Sequence, residues 1–247
     1  MLSQDTKLLI TESGSYAPSG GNIQPWHVKW KGDLMEIFLD EKRSTSFLDI
    51  NRFASIFSVG SFIENVYHTS VDLNLSVSVK LVEKISQDML VATLSFQSSQ
   101  SFQNHESLFK YISIRTTNRK FYDGTQIEEK DIDELKSEIC PFKNISLNTI
   151  SSNNSKKEIG RLLGEGDVIR TYHDGLFTQM MNEIRWNHKE ADESKDGLDI
   201  QTLELPSNVV KILSILKSNP GIRKLFPKSV FAESANVMIP GSSHIGC

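Results

Sequence analysis

The sequence has little cysteine and no long apolar run. Its two cysteines, Cys140 and Cys247, lie far apart, which excludes a disulfide framework, and no Cys/His spacing predicts zinc. No apolar stretch of about 18 residues occurs, and the first residues lack the basic and apolar segments of a signal peptide. We therefore expect no membrane partner and a cytoplasmic location.

The chain also lacks an excess of positive charge. Its 247 residues carry a net charge of −4, so we expect no nucleic-acid partner. A Ser-His-Asp set, a pair of catalytic carboxylates and a Gly-x-Gly-x-x-Gly phosphate loop are missing as well. Hydrophobic residues make up 38% of the chain, which is typical of a soluble globular protein with one large core or two small ones.

Alternation and helical periodicity predict an α/β arrangement in the first 100 residues. The long helix of this part has one apolar face, which consists of Ile56, Val59, Phe62, Ile63, Val66 and Tyr67. Gly60 within it costs about 1 kcal/mol against alanine, which indicates close packing on a sheet or, alternatively, an uncompensated glycine. The predicted elements are a helix at 5–16, a hairpin at 26–39, the long helix at 54–74, and strands at 75–82 and 90–96.

The remainder of the chain is predicted to be mainly helical, with prolines between the helices. A polar linker is expected at 98–103, an exposed acidic excursion at 190–199 and a core strand at 235–239. The predicted helices are 105–113, 128–139, 155–173, 175–189 and 207–217, with a further strand at 145–150.

A short connector, residues 16–26, separates the first helix from the hairpin. It contains two prolines, two adjacent glycines, Ser19, Asn22, Gln24 and Trp26. Two interpretations stay open. The segment is an ordinary helix-to-strand connector, or its backbone N–H groups, amides and aromatic ring bind a planar polar ligand.

A second cluster places three cations within six residues, at Arg115, Arg119 and Lys120, together with Thr117. Guanidinium and hydroxyl groups suit a phosphate or another oxyanion. The alternative is a solvated basic turn between two helices.

Together the two clusters resemble the signature motifs of the FMN-dependent nitroreductase family. The run Ala17-Pro18-Ser19-Gly20-Gly21-Asn22-Ile23-Gln24-Pro25-Trp26 is similar to the family's Pro-Ser-x-x-Asn-x-Gln-Pro-Trp. The run Arg115-Thr116-Thr117-Asn118-Arg119-Lys120-Phe121 is similar to its Arg-x-Ser/Thr-x-Arg/Lys segment, which an aromatic residue follows. The resemblance implies an α+β, nitroreductase-like fold with an antiparallel or mixed sheet flanked by helices.

The order of the motifs resembles a divergent branch with two tandem nitroreductase-like halves in one chain. The implied halves are residues 1–103 and residues 104–247, the second degenerate or truncated and carrying a helical, lid-like insertion. Such a chain is a pseudo-dimer, either monomeric or forming a homodimer. The family usually supplies further phosphate contacts near its C-terminus, which implies that this chain is either C-terminally incomplete or degenerate there.

The resemblance also implies roles for individual residues. Arg115 would contact the FMN phosphate, Thr117 the phosphate or ribityl chain, and Arg119 the N1/O2 edge of the ring. Ser19 and Asn22 would hydrogen-bond the flavin or shape its pocket. Gln24, with Pro25 and Trp26, would hold the loop against the sheet, although a core position for Trp26 and a turn position for Pro25 are the simpler interpretations.

The implied activity is FMN-dependent reduction of nitroaromatic, quinone or similar electron-poor small molecules by NAD(P)H, with hydride transfer through flavin N5. Such chemistry needs no dedicated acid–base pair. Two alternatives stay open. The protein binds or sequesters flavin without turnover under a lid from residues 175–205, or it is a partner-binding subunit that keeps the motif loop only as a relic.

Overall fold

The computed structural model describes residues 1–46, 48–85, 88–99 and 108–246. The chain forms two units: unit 1 comprises Met1–Asn118 and Glu183–Gln201, and unit 2 comprises Arg119–Asn182 and Thr202–Cys247. The predicted boundary between residues 103 and 104 lies outside the described residues and stays a prediction, as do the tandem halves.

In chain order the elements are α1 (Gln4–Ser15), β1 (Trp26–Lys31), β2 (Leu34–Leu39), α2 (Phe53–Asp72), β3 (Leu75–Leu81), β4 (Leu90–Ser98), α3 (Phe109–Ile112), α4 (Glu129–Ile139), β5 (Thr149–Ile150), α5 (Asn153–Tyr172), α6 (Asp174–Glu183), β6 (Ile184–Arg185), α7 (His188–Ser194), β7 (Leu198–Asp199), α8 (Ser207–Ser218), α9 (Lys228–Gly241) and β8 (Ile245–Gly246).

Unit 1 contains a four-stranded antiparallel sheet in the order β1-β2-β4-β3. The hairpin of β1 and β2 pairs Trp26 with Leu39, and β3 pairs with β4 from Leu75 opposite Ser98. Apolar and polar residues alternate along these strands, and this alternation is the pattern from which the strands were predicted. The predicted α+β class with an antiparallel sheet is confirmed.

Helix α2 covers the sheet and α1 packs beside it. Val59, Phe62 and Val66 of α2 recur at helical spacing and are buried in the same core as Ile37 and Leu94 of the sheet. These apolar contacts hold both helices in position on the sheet. They thereby fix the points from which the following segments start.

The contact between α1 and α2 is close because α1 has a glycine there. A Cβ added at Gly14 would lie 2.5 Å from Cζ of the Phe62 ring, so no larger residue fits without displacing that ring. Asn65 of α2 also donates a hydrogen bond of 3.1 Å to the carbonyl of Ser13. The end of α1 is therefore fixed on α2, and the connector that follows begins from a fixed point.

Two details of the α2 prediction are wrong. Gly60 is exposed, and no atom lies within 4 Å of a Cβ built there, so it does not mark close packing on the sheet. Ile56 and Tyr67, assigned to the apolar face, are 40% and 39% exposed. The buried stripe is narrower than predicted because one helix face alone meets the sheet and α1.

In unit 2, helices α5 and α9 pack along each other through two glycines. A Cβ at Gly160 would lie 3.0 Å from the carbonyl oxygen of Ala235, and one at Gly164 would lie 3.0 Å from Cβ of Ala232. Gly166, two residues further along α5, has open space around it. The glycine pair lets the two helix backbones approach closely, which the sequence analysis did not predict.

The predicted core strand at 235–239 is wrong, since these residues belong to α9. A short apolar run such as Val237 to Ile239 is compatible with either a strand or a helix. Contact with α5 through Gly160 decides in favour of the helix.

Two buried cations in unit 2 bind backbone carbonyls. Arg223, 3% exposed, donates to the carbonyl of Thr171 at 2.7 Å, forms an ion pair with Asp174, and stacks over the ring of Phe177 at 4.6 Å. Lys156, also 3% exposed, donates to the carbonyls of Ser242 at 2.5 Å and Ser243 at 3.2 Å. Each charge is compensated by several acceptors, as a buried cation requires.

Other helix predictions hold in outline. Helix α4 matches the prediction at 128–139; its Ile132 is buried and its Leu135 is 53% exposed. The predicted helix at 175–189 ends at Glu183, where a short strand and α7 replace it. Among the described residues, no helix is both long and apolar enough to cross a bilayer.

We predict that Gly164→Leu lowers the free energy of unfolding by about 2 kcal/mol, since the side chain would be forced into Ala232 of α9. Gly166→Leu is the matched control: it lies in the same helix with open space around it, and should be neutral or stabilise by up to about 1 kcal/mol. Urea unfolding measures both. Equal effects of the two substitutions would contradict the proposed α5–α9 packing.

Candidate functional site

The motif loop, residues 19–26, has an unusual backbone. Gly21, Asn22 and Gln24 have φ values of +60°, +52° and +50°, in the left-handed region that non-glycine residues seldom occupy. The hydroxyl of Ser19 accepts a hydrogen bond from the backbone N–H of Gln24 at 3.0 Å and closes the turn. Strained loops of this kind persist where surrounding contacts hold them, and they concentrate at functional sites.

The loop is anchored to the core at its end. Pro25 is fully buried, and the ring of Trp26 packs against Phe62 of α2 with centroids 5.3 Å apart. This confirms the simpler interpretation of Trp26 as a core residue.

A distant segment of the chain lies against the loop. We call residues 183–199 the strap; it comprises the end of α6, the short parallel pair β6–β7 and helix α7. The N–H of Gly197 donates to the carbonyl of Asn22, and the side-chain amide of Asn22 donates back to the carbonyl of Gly197, both at 3.0 Å. The side-chain amide of Gln24 donates to the carbonyl of Lys195 at 2.6 Å.

Ion pairs reinforce this contact around Asp196. Its carboxylate accepts from Arg185 at 2.6 Å and lies 3.5 Å from the guanidinium of Arg43. Arg43 also donates to the carbonyl of Ile23 in the motif loop at 2.9 Å. Burial acts to raise the pKa of Asp196, but hydrogen bonds from Arg185 and Ser194 and the nearby positive charges hold it below its ordinary value.

A small cavity of about 150 Å³ adjoins the loop. Gly20, Gly21 and Ile23 line it together with Glu183 and the start of α2. Asp49, also in the lining, caps α2 by accepting from the N–H groups of Ala54 at 2.7 Å and Ser55 at 3.1 Å. Ligand pockets usually exceed about 300 Å³, and two carboxylates here would repel a phosphate.

The arginine motif is divided between the two units. Arg115 and Thr117 belong to unit 1; both are exposed, and among the described residues their side chains make no hydrogen bond or ion pair. Arg119 belongs to unit 2, where its guanidinium donates to the carbonyl of Thr202 at 3.3 Å and its N–H to Glu204 at 3.0 Å. Lys120 lies 3.6 Å from the same Glu204 carboxylate.

Two residues of unit 1 carry donors of the kind that a phosphate accepts from. Within the part of the chain that the structure describes, the guanidinium of Arg115 and the hydroxyl of Thr117 have no partner, and both groups suit a phosphate. On the loop, the hydroxyl of Ser19 keeps its own hydrogen for a further acceptor, whereas the amide N–H groups of Asn22 and Gln24 already donate to the strap. The loop thus offers fewer donors to a flavin than its sequence indicates.

Sequence reasoning offered residues 175–205 as a lid over a flavin and expected 190–199 to be an exposed excursion. It did not predict that the strap is bonded to the motif loop, nor that Arg43 and Arg185 converge on Asp196. The Asp196-Gly197 dipeptide is a turn signal and was available in the sequence. Its partner was not, because Asn22 lies 175 residues away.

No protein-family model matches the chain. It is 29% identical over 223 residues to the uncharacterized protein MT1398 of Mycobacterium tuberculosis (strain CDC 1551 / Oshkosh). That match covers 90% of this chain, which spans about 30% of the length of that protein.

Two solved structures are similar over about half of this chain. One is a protein assigned as a nitroreductase from Desulfovibrio desulfuricans, solved in complex with FMN: 17% identity, 47% of this chain, 87% of that chain, and a TM-score of 0.35. The other is a protein assigned as an NADH oxidase from Clostridium acetobutylicum: 13% identity, 52% of this chain, 90% of that chain, and a TM-score of 0.35. We therefore base the proposed function on the residues of this chain itself.

We predict that the contact at Asp196 is retained at neutral pH and lost only in strong acid. A carboxyl whose pKa in the folded protein lies below its ordinary value of 3.8 stabilises the fold above that value, and its contribution disappears as the pH falls through the folded pKa. Hydrogen exchange at 194–198, corrected for intrinsic rates, should accelerate only below pH 3.8. D196N should remove this transition, and a transition near neutral pH would refute the assignment.

Proposed function

We propose that the protein is an FMN-dependent oxidoreductase of the nitroreductase type, which uses NAD(P)H to reduce nitroaromatic, quinone or similar electron-poor small molecules. The observation that carries the proposal is the motif loop. Its sequence resembles the family signature over ten residues, and its backbone holds left-handed conformations at Gly21, Asn22 and Gln24. A connector with no function would have little reason to retain such strain.

The free groups of the arginine motif support an anion-binding role. Arg115 and Thr117 would hold the FMN phosphate, since both are exposed and uncommitted among the described residues. The role that the resemblance implies for Arg119, at the N1/O2 edge of the ring, stays a prediction. Ser19 would contribute its hydroxyl from the loop. Bound FMN would supply two-electron transfer from NAD(P)H to the acceptor, and the protein would orient both and exclude water.

A second candidate function is flavin binding without turnover. The hydrogen bonds of the strap to Asn22 and Gln24 take up donors that the resemblance offers to a flavin, and this holds equally for both candidates. The two candidates share the cofactor and differ in whether NAD(P)H can reduce it.

The visible spectrum of the purified protein tests both candidates. Flavin absorbance that NADPH or NADH bleaches, and that an added quinone restores, supports the oxidoreductase. Flavin absorbance that neither nucleotide changes supports the binding protein. A colourless protein that stays without flavin after FMN titration and gel filtration refutes both.

We predict that Arg115→Ala weakens FMN affinity by about 10-fold to 100-fold, the range expected for loss of a charge-assisted hydrogen bond to phosphate. Lys120→Ala is the matched control, because that ammonium group already lies beside Glu204 and should change the affinity less than about 3-fold. Flavin fluorescence titration measures both. An unchanged affinity in Arg115→Ala would remove this residue from the site.

A further inference from the structure

The contact between loop and strap is reciprocal. At Asn22 and Gly197 each residue both donates and accepts: the backbone N–H of Gly197 donates to the carbonyl of Asn22, and the side-chain amide of Asn22 donates to the carbonyl of Gly197, both at 3.0 Å. Gln24 adds a third point two residues away on the same side of the loop. Three hydrogen bonds within one turn fix both the distance and the orientation of the strap.

The strap is shaped for this position by a glycine. Gly197 has a φ of +74°, and a Cβ there would lie 2.5 Å from Cζ of Arg185 and 2.7 Å from the carbonyl oxygen of Glu183. No side chain fits at this point without displacing backbone. On the loop side, a Cβ at Gly21 would lie 3.1 Å from the carboxyl of Glu183. Gly197 therefore permits the close packing within the strap, and Gly21 permits the close approach of the loop to Glu183 of the strap.

The two residues in the contact also tolerate the backbone that it requires. Asn22 and Lys195 lie in left-handed conformations, with φ of +52° and +54°. Such conformations cost energy for residues other than glycine, with asparagine among the more tolerant. Hydrogen bonds between loop and strap compensate this cost, so each segment stabilises the conformation of the other.

We infer that Asn22 and Gln24 are positioning residues: their amides hold the strap as a fixed wall of the loop and are not available to a ligand. This assigns to both residues a role different from the one that the family resemblance implies. It concerns the protein without cofactor, so it holds whether or not the proposed oxidoreductase activity is correct. A ligand at this loop would meet the hydroxyl of Ser19 and the strap itself.

A double-mutant cycle between Asn22→Asp and Gly197→Ala tests the inference in the full chain without added cofactor. N22D keeps the size and the tolerance for positive φ, but directs a carboxylate oxygen at the carbonyl of Gly197. G197A introduces a methyl group into the strap itself, where it would meet Arg185 and the carbonyl oxygen of Glu183. Each should accelerate hydrogen exchange of residues 194–198 by about 10-fold, and the double variant should exceed the larger single effect by no more than about 3-fold. Independent effects would multiply to about 100-fold.

A pH series on N22D separates positioning from general disruption. The introduced carboxyl takes the place of the amide that donates to the carbonyl of Gly197. The charged groups in the neighbouring contacts are the carboxylates of Asp196 and Glu183 and the cations Arg43, Arg185 and Lys195. When protonated, the carboxyl can again donate to Gly197, so corrected exchange rates of N22D at 194–198 should return toward those of the unmodified protein as the pH falls through the pKa of this carboxyl, while G197A shows no such recovery.

The matched control is Gly32→Ala. Gly32, in the turn between β1 and β2, has a similar φ of +59° but nothing within 4 Å of a built Cβ, so its substitution should leave exchange in the strap unchanged. Three results would overturn the inference: multiplicative effects in the cycle, exchange at 194–198 unaffected by N22D, or acceleration equally large in G32A. None of these measurements depends on flavin, so they can fail independently of the proposed function.

Discussion

The candidate site depends on a pair of hydrogen bonds between Asn22 and Gly197, one from the backbone N–H of Gly197 and one from the side-chain amide of Asn22. Each single bond is worth about 1 kcal/mol net, which is comparable to the cost of a left-handed residue. Because the gain from one hydrogen bond and the cost of one left-handed residue nearly cancel, neither the loop nor the strap would keep its conformation without the other. Together, with Arg43 and Arg185 converging on Asp196, they form one rigid structure over the end of α1 and the start of the sheet.

That arrangement explains why unit 1 is discontinuous in sequence. The sheet, α1 and α2 bury a shared apolar core, yet the motif loop is completed only by residues 183–201. Closing a contact across 175 residues costs entropy that rises slowly with length. Several interactions at one place compensate this entropy cost. They are the hydrogen bonds and ion pairs between loop and strap, and the strap adopts the required conformation because Gly197 leaves room for Arg185 and Glu183.

Much of unit 1 could be predicted from sequence. Helix α1, the hairpin, α2 and strands β3 and β4 all follow from local periodicity, because one face of each element meets the core. Prediction was poorer where the deciding contact was distant in sequence. Val237 to Ile239 form a helix because α9 packs on Gly160, and the strap was unpredictable because its partners lie on the first loop. Of the site residues, the sequence indicated the loop and the arginine motif, but it could not reveal that Asn22 and Gln24 already have partners.

The discontinuity also has a consequence for how the protein is made. The motif loop leaves the ribosome early, whereas Gly197 is added only after α4, α5 and α6 have been synthesised. During that interval the amides of Asn22 and Gln24 face water, and the strained turn lacks its compensating bonds. The loop therefore gains its compensating bonds only after residue 197 has been added, although it is among the first segments to be translated.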